Sequence, residues 1–194
     1  MGISLSKGQG VNLSKEAPNL SRIMVGLGWD ERQTDGASYD LDATAFLVGQ
    51  DGKVYEQPGL VGYMQGCNTG GNGSVEYGGD NRTGEGEGDD ETIDIDLNKL
   101  PASIQKVVIT VTIHDADKLN QNFGGIDNSF VRIVNKDGEA ELCKFDLRED
   151  FDIETAMIMG EVYRHNGEWK FRAIGQGFAN GLQGLCGMFG VEVS

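Results

Sequence analysis

ETIDIDL (91–97) places Ile93, Ile95 and Leu97 on one face of an extended chain and Asp94 and Asp96 on the other. That period of two predicts a strand with one dry face and one wet one. Runs of the same kind recur along the chain: RIMVGLGW (22–29), DLDATAFLV (40–48), KVVITVTIHD (106–115), SFVRIV (129–134), AELCKFDL (140–147), MIMGEVYRH (157–165) and EWKFRAIG (168–175). Asp51-Gly52, Lys136-Asp137-Gly138 and His165-Asn166-Gly167 predict hairpin turns, because Gly and Asn accept positive φ at low cost. NTGGNGS (68–74) predicts a longer, mobile loop. Helical signals are few: DKLNQNFG (117–124), opening on Asp117 as a candidate N-cap, and ANGLQGLCGMFG (179–190), weakened by its glycines. Many strands and turns with no regular alternation of helices predict a mainly β fold, a two-sheet β-sandwich with a few short helices. No repeat of fixed period and no linker divides the chain, so residues 1–194 are expected to form one domain.

The charge balance excludes some functions. Sixteen basic and 31 acidic side chains give a net charge of -15, which argues against a nucleic-acid partner. Cys67, Cys143 and Cys186 are odd in number, with no CxxC, so neither a disulfide framework nor a structural zinc site follows. The N-terminal stretch has no apolar core of a leader, and no run approaches the eighteen apolar residues of a spanning helix. A cytoplasmic protein is expected.

Much of the negative excess is concentrated. GDNRTGEGEGDDE (79–91) holds six carboxylates and four glycines with a single arginine. Two unit charges about 4 Å apart repel by roughly 1 kcal/mol in water and roughly 4 near a protein surface, so gathered carboxylates call for something positive among them. Asp80, Asn81, Asp89, Asp90 and Glu91 lie in the turn ahead of the strand. Carboxylates, an Asn amide and carbonyls turned inward by glycine make the oxygen set of a hard cation, and calcium suits a flexible loop better than magnesium. Zinc would call for His or Cys. A solvated acidic loop is the other reading, and the residues alone leave both open. WDERQTDGASYDLDATAFLV (29–48) supplies a second acidic element, with Asp40 and Asp42 on one face of a strand start and Asp30 and Asp35 in the loop before it. If the two elements meet at one end of the sandwich, their carboxylates could share one or two ions.

Known calcium and phosphate motifs do not fit. An EF-hand read from Asp80 would put Arg82 and Gly84 at ligand positions, and GGNGSVEYG (70–78) carries Val75 where a β-roll needs Asp. GEGEG (84–88) would repel phosphate. His114 and His165 are far apart, no GxSxG is present, and no Cys stands beside a nameable base, so no enzyme is expected. Trp29, Trp169, Phe171 and Phe178 are expected to pack, and Arg164, Lys170 and Arg172 to act as surface counter-charges.

GISLSKGQGVNLSK, VGLGWD, DGASYDLDATAFLV, GDNRTGEGEGDDE, ITVTIHDA with QNFG soon after, and ETAMIMGEVYRHNGEWKFRAIGQGFANGL together resemble the tellurite-resistance TerD family of bacterial stress proteins, over about residues 2–186. Where relatives tend to carry an aromatic FYNN-type strand before the loop, this chain has GYMQGCNTGG (62–71). The resemblance implies a β-sandwich binding two calcium ions in adjoining acidic loops. Carried over by position, it implies as ligands Asp30, Asp40 and Asp42 from the first element, and Asp80, Asn81, Thr83, Gly84 through its carbonyl, Asp89, Asp90 and Glu91 from the second. The expected function is a non-catalytic calcium-binding module of tellurite and chemical stress resistance, with protein partners in a stress-response complex. The alternatives are a C2-like calcium-dependent binder at the inner membrane surface and a divalent-metal enzyme acting on phosphates, which lacks a visible base and phosphate clamp.

Overall fold

The computed structural model describes residues 2–31, 38–57, 59–79, 88–147 and 151–192. Among these residues the strands are β1 (Ile3–Leu5), β2 (Gly10–Asn12), β3 (Arg22–Glu31), β4 (Leu41–Val48), β5 (Leu60–Gly62), β6 (Thr69–Gly70), β7 (Val75–Tyr77), β8 (Glu91–Asp96), β9 (Lys106–Ile113), β10 (Ile126–Asn135), β11 (Ala140–Asp146), β12 (Ala156–His165) and β13 (Glu168–Phe178). The helices are α1 (Leu13–Glu16), α2 (Ala116–Leu119) and α3 (Gly181–Phe189). One sheet runs β1-β11-β10-β3-β8-β7-β6 and the other β2-β13-β12-β9-β4-β5. All pairings are antiparallel except β1 with β11. The mainly β, two-sheet architecture with short helices is the one the alternating runs predict.

β8 shows why. Ile93 and Ile95 are buried between the sheets, while Thr92, Asp94 and Asp96 face outward, half-buried. Asp94 meets Lys136 at 2.5 Å and Asp96 meets Lys99 at 3.1 Å. Such exposed pairs contribute little to stability, so the dry face does the holding. β4 differs, being buried along its whole length. Its Leu41, Ala43, Ala45 and Leu47 join the core between the sheets, whereas Phe46 and Val48 lie in a second cluster with Leu185, Cys186 and Phe189 of α3. The Phe46 and Phe189 rings stand 4.7 Å apart at 33°. α3 therefore closes the outer face of the second sheet. No helix among the described residues is long and apolar enough to cross a membrane.

Several local expectations are met and some are corrected. His165-Asn166-Gly167 is a hairpin turn with positive φ at both Asn166 and Gly167, joining β12 to β13. In the 136–139 turn the positive φ falls on Glu139, not Gly138. Residues 68–74, expected as a long mobile loop, instead form β6 and a tight turn into β7, with the buried Ser74 hydroxyl donating to the Gly71 carbonyl. Gly70 is needed there, because a Cβ would stand 2.7–2.8 Å from Val61 and Leu47. The single helix expected at 117–124 is two pieces, α2 and a 3-10 turn at Phe123–Gly125, separated by Asn120 in the left-handed region. Asp115, not Asp117, stands at the start of α2, and it makes no side-chain cap. Arg164 is no surface counter-charge: it donates to the carbonyls of Leu100, Pro101 and Ile104 and stacks on Trp169.

Candidate functional site

The register brings the acidic elements together. β3 pairs with β8 so that Leu27 faces Glu91, setting Trp29 and Asp30 beside residues 88–90. β10 continues the row, with Asp127 opposite Asp30. In the other sheet, Leu41 faces Ile113 and the His114 N–H donates to the Asp40 carbonyl at 2.7 Å. A side chain crosses the gap between the sheets there: Glu91 of β8 accepts the Ala43 N–H of β4 at 2.5 Å. The described ends of the two acidic elements, residues 88–91 and 40–43, thus meet at one end of the sandwich.

Each of these side chains has a distinct setting. Asp30 is exposed and accepts from the Asn128 amide at 2.7 Å. Asp40 is half-buried. Asp42 is 3% exposed, with Oδ2 3.3 Å from His114 Nδ1. The His114 ring meets Tyr63 edge-on at 5.8 Å, at the wall of a cavity of about 300 Å³ between α2 and the start of α3. Asp90 donates its N–H to the Leu27 carbonyl at 2.7 Å, and its Oδ2 accepts the Trp29 N–H at 2.9 Å. Burial pushes the Asp90 carboxyl above its ordinary range, with the Asp30 and Asp89 charges adding to the rise and the Trp29 amide opposing it. Glu91 is 1% exposed, and its other oxygen accepts from the Tyr77 hydroxyl at 2.8 Å.

Asp89 faces a different way. Its two oxygens lie 2.7 and 2.8 Å from Nε and Nη2 of Arg132, a bidentate pair on the outer face of the first sheet. Arg132 also reaches Glu141 at 3.4 Å, and the hydrogen bond with Asp89 is the chief reason its guanidinium is held above its ordinary range. Asp80, Asn81, Thr83 and Gly84 lie outside the described residues. Among the described residues, no group of three His, Cys, Asp or Glu side chains is set to hold a metal ion.

The chemistry of the donor set fits a hard cation. The gathered groups are carboxylates, and the nearest described nitrogen ligand, His114, already faces Asp42. Asp90 carries a charge that burial and two neighbouring carboxylates disfavour, which is the electrostatic condition a bound cation relieves. Arg132, Tyr77 and the amides of Trp29 and Ala43 are the residues that sequence reasoning missed. Arg132 sits at an outward position of SFVRIV, but its partner becomes visible only when β10 is known to pair with β3.

The comparisons with known proteins agree with this architecture. The TerD domain model matches residues 1–189. The chain is 50% identical over 194 residues to Tellurium resistance protein TerD of Serratia marcescens, covering all of both chains. It is 51% identical to General stress protein 16U of Bacillus subtilis, again over the whole of both. The crystal structure of a homologue of telluride resistance protein (TerD) from Streptomyces coelicolor A3(2) superposes with a TM-score of 0.67 at 26% identity, covering 91% of this chain and 100% of that one. A full-length match at half identity and a shared two-sheet fold establish that the chain belongs to the TerD family of tellurium-resistance and stress-response proteins.

Proposed function

We propose that this protein is a non-catalytic calcium-binding module of the stress response, in which two calcium ions order the acidic end of the sandwich. The observation that carries the reading is the meeting of the two acidic elements across the sheets, through the Glu91 to Ala43 hydrogen bond. Asp30, Asp40, Asp42 and Asp90 would hold the cations, completed by Asp80, Asn81, Thr83 and the Gly84 carbonyl of the glycine-rich loop. A bound divalent cation supplies there the positive charge that gathered carboxylates lack, and it accepts six to eight oxygens with tolerant geometry. The protein's own residues fix the strand ends, so ordering is confined to the loops. A surface ordered in this way is a means of exposing a binding face to protein partners only when the cation is present.

Trp29 gives a direct test. It is buried at the acidic end and its N–H holds Asp90, while Trp169 lies under Arg164 in the last hairpin. In a Trp169→Phe variant stripped of metal, calcium is expected to change Trp29 emission saturably at micromolar concentrations, with magnesium far weaker. Flat emission with calcium, in a protein shown to be folded, would count against the reading.

A further inference from the structure

α3 closes the outer face of the second sheet over Phe46, Val48, Val108 and Ile158. Toward the β12–β13 turn the same face continues with polar groups. The register sets Lys106, Tyr163, Lys170 and Asn12 in one row across β9, β12, β13 and β2, with Glu161 opposite Arg172 in the next row. Glu161 also stands opposite Val108, which fixes both rows as outward-facing. Neighbouring strands lie about 4.8 Å apart, so a lysine backbone flanks Tyr163 at that spacing on either side. The Arg172 guanidinium lies over the Tyr163 ring, 5.3 Å from its centre. Glu161, 9% exposed, sits 3.1 Å from Lys106 Nζ and 3.8 Å from Arg172 Nη1.

The charge balance here departs from that of the chain. Lys106, Lys170 and Arg172 face two carboxylates, Glu161 and Glu168, on a protein with 31 acidic and 16 basic residues. Glu168 is taken up by the Asn12 amide at 2.7 Å. Arg22, Arg132 and Lys144 on the first sheet meet carboxylates at 2.7–3.1 Å. Lys170 meets none among the described residues, and the Tyr163 hydroxyl has no hydrogen-bond partner among them. The buried Glu161 holds Lys106 and Arg172 in place, so part of the entropy cost of ordering long side chains is already met.

We infer that this face is a docking surface for an acidic, extended segment of a partner protein. Its carboxylates meet Lys170 and Arg172, and its apolar atoms lie on the Tyr163 ring. The net charge of -15 opposes a large anionic surface approaching the whole molecule. A short segment responds to charges within about 8 Å at physiological salt, and there the cations prevail. The surface lies at the end of β12 remote from Ala156 and Thr112, and so away from His114 and the acidic elements. It stands whether or not those elements hold a cation.

The test uses the full chain with chelator present and a fluorescein-labelled peptide of alternating Glu and Ala, read by fluorescence anisotropy. The peptide is expected to bind saturably, more weakly as salt rises, and its Gln-for-Glu counterpart far less. Lys170→Glu and Arg172→Glu are each expected to weaken binding by about tenfold. Lys144→Glu makes the same charge change on the first sheet and is expected to alter binding by less than about twofold. Melting temperature verifies that each variant folds, and Lys170→Gln and Arg172→Gln, with smaller losses in the same order, replace any Glu variant that does not. No binding at millimolar peptide, or equal binding of the Gln peptide, overturns the inference. Equal weakening by Lys144→Glu overturns it too, since net charge would then be the cause. Phosphatidylserine vesicles that capture the protein while the peptide fails, with capture lost in Lys170→Glu, would assign the face to a lipid surface instead.

Discussion

Calcium added to the metal-stripped protein is expected to raise its melting temperature by about 5–11 °C for each site filled at one hundred times the dissociation constant. A ligand bound only by the folded state stabilises it by RT ln(1 + [L]/Kd), about 2.7 kcal/mol at that excess. A domain of this size shifts by about 2–4 °C per kcal/mol. Two sites roughly double the shift. The source of the effect is local: Asp90 lies beside the charges of Asp30 and Asp89 and is buried against its own preference for charge. Magnesium, which demands a stricter octahedron and keeps its waters, is expected to give a much smaller shift. Differential scanning calorimetry with calcium, magnesium and chelator checks this, and superimposable curves would refute it.

The second large effect concerns alkaline pH and a residue remote from the acidic end. Cys143 on β11 is fully buried in the core, and burial pushes its thiol up to about 12. Its folded pKa lies above the unfolded one, so its contribution to stability is complete below the unfolded value of about 8.5. It is lost as pH rises toward 12, because the unfolded chain then releases a proton that the folded chain keeps. The loss reaches on the order of 5 kcal/mol at the upper limit. Lysines and tyrosines titrate in the same range, so the measurement is a difference: Cys143→Val is expected to flatten the fall of Tm between about pH 8.5 and 11. Equal slopes for both proteins would contradict it. The same burial predicts that Cys143 resists alkylation in the folded state at neutral pH.

How much of this was readable in the sequence depended on how local each feature is. β8 and the Asn166-Gly167 hairpin were legible because alternation and positive φ are properties of a few consecutive residues. β1, β2, β5, β6 and β7 run two or three residues each, too short for any period to show. Residues 68–74 looked like an open loop because glycine marks both flexibility and close approach, and Gly70 turned out to be the second. α3 is legible as a glycine-weakened helix, yet its place on the outer face of the second sheet is not, and that place explains why β4 has no wet side. At the candidate site, the acidic residues stood out by composition, but their meeting did not. It required the pairings of β3 with β8 and of β4 with β9, which connect parts of the chain dozens of residues apart. The separate seating of Asp89 and Glu91 was hidden for the same reason. Arg132 and Ala43, which hold these two, come from strands that are distant in sequence.

The Arg132–Asp89 pair also shows why a count of carboxylates misjudges the charge at this end. One of the gathered acids already has a fixed cation of its own, supplied by the fold. Glu91 is screened from solvent and serves two neutral donors.

A calcium titration of the metal-stripped, nitrogen-15-labelled protein, followed amide by amide, puts the central claim to its plainest test. The account predicts that the amides of Trp29, Asp30, Ala43 and Asp90 move together and saturate, while those of α3 and the last hairpin stay still. Resonances at the acidic end that do not move at millimolar calcium, or movement confined to the opposite end of the sandwich, would contradict it.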